Sequence, residues 1–114
     1  MASVEVSKEL LDKIYEAIEI AKTTGKIKKG TNETTKTIER GKAKMVVIAK
    51  DVTPPEITMH IPLIAEEKNV PCFTVPSKEE LGAAAGIHVG TGSIAVVEEG
   101  EAKSLIRDLV SKTK

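Results

Sequence analysis

Between Gly30 and Lys44 the chain reads Gly30-Thr31-Asn32-Glu33-Thr34-Thr35-Lys36, then Ile38-Glu39-Arg40-Gly41-Lys42-Ala43-Lys44. A helix starting near Thr31 or Asn32 and ending at Gly41 places Asn32, Glu33, Lys36 and Arg40 within an arc of roughly 100°. Thr34, Thr35 and Ile38 fall on the other side, and of these only Ile38 is a strong core anchor. A carboxylate accepts two hydrogen bonds from adjacent N–H donors, and a carboxamide donates and accepts at once, so Glu33 and Asn32 suit the edge of a guanine. A carboxylate among phosphates is repelled; it is a poor general ligand for RNA but a good way to demand a donor-bearing base at one spot. Lys36 and Arg40 offset that repulsion and can hold flanking phosphates. The same residues also have a purely local reading. Asn32 is then an N-cap, Glu33 a partner of the helix dipole, and Lys36 its (i, i+3) ion pair.

The charge distribution favours an anionic partner. The 17 basic and 17 acidic residues cancel over the whole chain. Residues 22–50, however, hold nine cations against two anions, a surplus of seven, which leaves the rest of the chain equally acidic. Such a field is localised, whether as a solvated lysine-rich surface or as a phosphate-facing one.

Length and composition exclude other classes. The 114 residues form one domain, 1–114, large enough to bury a core. The acidic, amphipathic N-terminal segment is unlike a secretory leader, and no apolar run approaches the roughly 20 residues of a membrane span. A cytoplasmic protein without membrane association is expected. Cys72 is the single cysteine and lies in the apolar run Val70–Val75, so a buried, inert thiol is expected and a cysteine metal cluster is excluded. Tyr15 and Phe73 are the only aromatic residues, which argues against base-stacking platforms.

The elements that must position these residues are legible in outline. Ser7 caps a helix to about Thr24, with Leu10, Ile14, Ile18 and Ala21 as its stripe, and Gly25 stops it. Ile27 marks a short strand. Met45–Ala49 reads as a strand buried on both faces. Pro54 and Pro55 launch a helix from Glu56 to about Lys68, with Ile57, Ile61, Ile64 and Ala65 inward and a kink at Pro62. Cys72–Val75 is the next strand. Ser77 and Glu80 form a capping box for a helix that Gly86 closes. Ser93–Val97 is a fourth strand, and a final helix runs from Gly100 to about Thr113 with Leu105, Ile106, Leu109 and Val110 inward. This alternation predicts an α/β fold, a three-layer α/β/α sandwich around a central four-stranded, mostly parallel or mixed sheet.

Gly30-Thr31-Asn32-Glu33 with Lys36, then Arg40-Gly41-Lys42-Ala43, resembles the signature of the kink-turn-binding ribosomal protein family. Val46–Pro54, His60-Ile61-Pro62-Leu63, Glu66–Pro71 and Ser77–Gly82 continue the resemblance in order along nearly the whole chain, and it is strongest toward the archaeal large-subunit members. The resemblance implies recognition of the kink-turn, a sharply bent RNA with a bulge and tandem sheared G·A pairs. It implies that Asn32, Glu33 and Lys36 contact the guanines, that Arg40 lies at the same surface with Lys42 beside it, and that Ile87, His88 and Val89 cover the bulged nucleotides. Ile57 and Lys78 would help form the niche for a flipped-out base. Exposed Ile87 and Val89 on a glycine-flanked loop would suit an unstacked base, or else they pack at a strand edge. The implied partners are ribosomal RNA in the large subunit, box C/D and H/ACA guide RNAs with the core proteins of their particles, and ribonuclease P RNA. The protein would be monomeric when free.

Enzymatic chemistry finds little support. His60 and His88, the only histidines, have no metal-ligand spacing, and His60 reads as a packed or capping residue. Gly90-Thr91-Gly92 lacks the remainder of any phosphate-loop fingerprint, and there is no nucleophile elbow. No catalytic residue, metal or cofactor is expected. The alternative is a protein-binding adaptor of the same fold acting in stress regulation, against which the basic segment and the Asn32/Glu33/Lys36 arrangement weigh.

Overall fold

Helices and strands alternate through residues 4, 5 and 7–112, which the computed structural model describes. In order they are β1 (Val4–Glu5), α1 (Lys8–Thr24), β2 (Lys26–Lys29), α2 (Thr31–Glu39), β3 (Met45–Ala49), α3 (Ile61–Glu67), β4 (Cys72–Val75), α4 (Lys78–Ala84), β5 (Ser93–Glu98) and α5 (Lys103–Lys112). The four anticipated strands lie in one mixed sheet, and the two-residue β1, which the sequence does not signal, adds to one edge. The order is β1-β4-β3-β5-β2. β1, β4 and β3 run parallel, whereas β5 is antiparallel to both β3 and β2.

The period-two alternation of strand side chains divides the core. Met45, Val47 and Ala49 of β3, with Phe73, Val75, Ile94 and Val96, pack against the apolar faces of α1, α4 and α5. Val46 and Ile48, with Cys72 and Ala95, pack under Ile38 of α2 and Ile61 and Ala65 of α3. The result is the expected three-layer sandwich. Cys72 is buried in the second cluster, and burial pushes its thiol up to about 12, so the reactive thiolate is suppressed.

Local signals place several boundaries. The Ser7 hydroxyl accepts the Leu10 N–H at 3.4 Å, Ile14, Ala17, Ile18 and Ala21 are buried, and the Gly25 N–H closes α1 on the Ala21 carbonyl at 2.8 Å. Ser77 caps α4 by accepting the Glu80 N–H at 3.2 Å.

Two expectations are corrected. The helix from Glu56 to Lys68 is instead a single 3-10 turn, Pro55–Ile57, followed by a break and then α3. Pro62 falls in the first turn of α3, where a missing N–H costs nothing, rather than kinking a longer helix. Consequently Ile57 is not inward; it is 44% exposed. The final helix also begins as a 3-10 turn, Gly100–Ala102, before α5, and its expected end near Thr113 lies outside the described residues.

Candidate nucleic-acid interface

α2 is short, and its placement depends on its ends. Gly30 has φ +93°, a conformation that disfavours a side chain, and this lets its N–H reach the Ser93 carbonyl at 2.9 Å while its own carbonyl accepts from Thr34 at 2.9 Å. The Ser93 hydroxyl donates to Thr31 Oγ1 at 3.3 Å. The start of α2 is thereby tied to the first residue of β5. Gly30 is the cap and contributes no side-chain bond, so the N-cap reading of Asn32 is corrected: Asn32 lies inside the first turn with its carboxamide exposed.

Along α2 the helical period separates two faces. Thr34, Thr37 and Ile38 are buried, whereas Asn32, Glu33, Lys36 and Arg40 are all exposed. Thr37 donates to the Glu33 carbonyl at 2.7 Å, and the buried Thr34 hydroxyl has no hydrogen-bond partner. The anticipated Glu33–Lys36 pair is present at 4.0 Å, but both side chains are about half exposed, so solvent leaves it little strength and both groups stay available.

Around the N-terminal end of α2 the fold gathers residues distant in sequence. The Asp51 carboxylate accepts the Lys78 N–H at 2.8 Å, which joins the loop after β3 to the start of α4. Thr91 donates its N–H to the Lys78 carbonyl at 3.1 Å. Ile87 donates to the Gly82 carbonyl at 3.0 Å, and a Cβ on Gly82 would collide with the Val89 carbonyl oxygen, so the 86–90 loop lies directly on α4. Gly92 is packed among Val52, Thr31 and Thr58, each within 3.2–3.4 Å of where its Cβ would stand. This brings Asn32, Ile57, Lys78 and the Ile87–Val89 loop to one end of the sheet. Val89 is 73% exposed and His88 is exposed, while Ile87 is half-buried.

Arg40 and Lys42 are elsewhere. At about 1.5 Å per residue, Arg40 lies about 12 Å along the helix from Asn32. With Lys26, Lys28 and Lys44 these two cations line an open groove of about 520 Å³ that Glu33 and Glu98 also border. The charge count along the chain anticipated these lysines as a field, but not their convergence.

His60 is not packed, but it occupies the N-cap position of α3, where its carbonyl accepts the Ile64 N–H at 3.1 Å. It is exposed, precedes α3 without a side-chain capping bond, and places Nε2 2.9 Å from Thr35 Oγ1, linking α3 to α2. The sequence reading also missed Met59 and Leu63, which are 61% and 65% exposed beside Ile57. For Met59 the signal was Pro62, which suits a first helical turn and so places a break before Ile61; Leu63 lies on the outer side of α3. Among the described residues no group of three or more His, Cys, Asp and Glu is placed to hold a metal, and no helix is long and apolar enough to cross a membrane.

Comparison with known proteins agrees with this architecture. The family described as ribosomal protein L7Ae/L30e/S12e/Gadd45 matches residues 12–106. Among solved structures, the Giardia lamblia 15.5kD RNA binding protein superposes with a TM-score of 0.89 at 33% identity, over 94% of this chain and 89% of that one.

Proposed function

We propose that this chain, which belongs to the ribosomal protein L7Ae/L30e/S12e/Gadd45 family, binds RNA and recognises kink-turns through the outer face of α2. The observation that carries the reading is the exposed row of Asn32, Glu33, Lys36 and Arg40, a carboxylate and a carboxamide followed by two cations, on a helix whose other face is fully committed to the core. The 33% identical solved relative, named as an RNA binding protein, supports the same class of partner.

In this reading Glu33 accepts from the N1–H and N2–H side of a guanine in a sheared G·A pair, and Asn32 donates and accepts beside it. Lys36 neutralises the neighbouring phosphate, and Arg40 and Lys42 hold the backbone farther along. At the N-terminal end Val89 and Ile87 cover a bulged base, and Ile57 and Lys78 border its niche. The exposed apolar side chains there would otherwise have no partner. The protein supplies shape and electrostatics and performs no bond chemistry. Ribosomal RNA of the large subunit, box C/D and H/ACA guide RNAs, and ribonuclease P RNA all present this target, and we place the protein with them in the cytoplasm, monomeric when free.

The deciding experiment is a gel shift of a kink-turn RNA by the purified protein alone, against a control with its G·A pairs disrupted. A shift at nanomolar protein that the control lacks is expected; equal affinity for both RNAs would sink the reading. A protein-binding adaptor has one observation in its favour, the exposed Ile57, Met59 and Leu63, and predicts no shift of either RNA without a partner.

A further inference from the structure

The acidic remainder of the chain, outside residues 22–50, contributes cations to the basic face. Lys44 lines the groove at the end of α2, and it also lines a second groove of about 440 Å³ formed with Lys103, Ile106 and Arg107 of α5. Its position is held by the backbone, because the Lys44 N–H donates to the Val96 carbonyl at 2.6 Å, where β3 begins and β5 ends. The two grooves are therefore one strip. It starts at Lys26 and Lys28 on β2, passes Arg40 and Lys42, turns at Lys44, and continues over α5. None of its seven cations pairs with a carboxylate of the described residues, whereas Glu33, Glu98 and Glu99 are the acids along it.

We infer that this strip holds a second stretch of RNA backbone, the duplex arm that leaves the kink in the direction of the α2 C-terminus. The inference rests on the kink-turn reading above and extends it to residues of α5. Two features favour a phosphate backbone over an acidic protein. The strip is continuous with the Arg40 end of the proposed base-reading helix. It also contains none of the large exposed apolar side chains, Ile57, Met59, Leu63 and Val89, so it lacks the anchors on which protein interfaces depend. Open grooves with unpaired lysines and arginines suit a partner that is recognised by charge along its length.

The test uses the full chain and three RNAs: a kink-turn with short arms, and the same RNA with one arm or the other lengthened by about one helical turn. For the wild type, one of the two extensions is expected to tighten binding. That RNA should also lose about tenfold more affinity between roughly 50 and 200 mM salt than the short-arm RNA, as for about two additional neutralised phosphates. Lys103→Gln combined with Arg107→Gln should abolish the gain while leaving short-arm affinity within about twofold; Lys44→Gln, outside α5, should reduce the gain independently. Thermal melts of each variant confirm folding. An extension gain of wild-type size in the α5 double variant overturns the inference, as does the absence of gain from either arm. In the latter case, retention of a polyglutamate peptide by the wild type but not the variant would assign the strip to an acidic protein. Kink discrimination is read separately with G·A-disrupted short-arm RNA. Its loss with the arm gain intact overturns the kink-turn reading, and its persistence without the gain overturns only the strip.

Discussion

α1 and α2 lie on opposite faces of the same sheet, and each presents a polar side outward, but they are held in place by different means. α1 is 17 residues long and buries Ile14, Ala17, Ile18 and Ala21 under a serine cap. α2 is nine residues long, starts on a glycine, and buries one isoleucine and two threonines. Packing positions the first helix. The second is held by Ile38 alone in the smaller core cluster and, at its start, by Gly30 and Thr31 on Ser93. A third tie is Thr35 on His60. The difference teaches what the outer row of α2 is free to do: its side chains are not needed to keep the helix where it is, so their chemistry is available to a ligand.

That contrast can be broken by mutation. The largest effect is expected in α1, where Ile18→Ala should cost about 2–5 kcal/mol in urea unfolding, because the residue is fully buried. Asn32→Ala or Lys36→Ala on the outer row of α2 should change stability by no more than about 0.5 kcal/mol. A comparable loss from either would mean that the row is structural. Next in size is Glu33→Ala, which should lower the preference for kinked over G·A-disrupted RNA by about 1–3 kcal/mol with an unchanged melting temperature. Retained preference in titrations of both RNAs would remove Glu33 from the reading of the base.

Smaller effects sharpen the comparison. Lys42→Ala should weaken kinked and plain RNA alike by a few-fold and reduce the slope of log affinity against log salt by about 1, since it meets phosphate and not base. A selective loss on kinked RNA would contradict that assignment. Smallest is Thr34→Val on the inner face of α2. Its hydroxyl is buried without a partner, so an isosteric apolar replacement should leave stability unchanged or raise it by about 1 kcal/mol or less. A clear destabilisation in thermal melts would show that the hydroxyl anchors the helix after all.

The expectations that held rest on short-range chemistry. Ser7 before an apolar stripe, Ser77 three residues before Glu80, and the unbroken run Met45–Ala49 each carry their signal within a turn or a strand length. The failures share a cause. β1 is two residues long and owes its existence to pairing with β4, which local propensity does not encode. The segment 55–60 carries helical spacing, yet it breaks before Ile61 so that Pro62 can sit in a first turn, and that break turns Ile57 outward. Asn32 has a capping side chain, but the backbone of Gly30 reaches Ser93 first.

By itself, the sequence determined which groups share the face of α2, because the angular spacing of Asn32, Glu33, Lys36 and Arg40 depends only on helical geometry. It also determined where the excess charge lies along the chain. The tertiary structure alone decided what stands beside that face. Strand order carries the loop after α4 to one end of α2 and Lys103 and Arg107 of α5 to the strip beyond the other. Those neighbours come from chain crossings and sheet register, which local composition leaves undetermined. The same α5 cations that look like part of an acidic remainder in the linear count therefore belong, in space, to the basic strip.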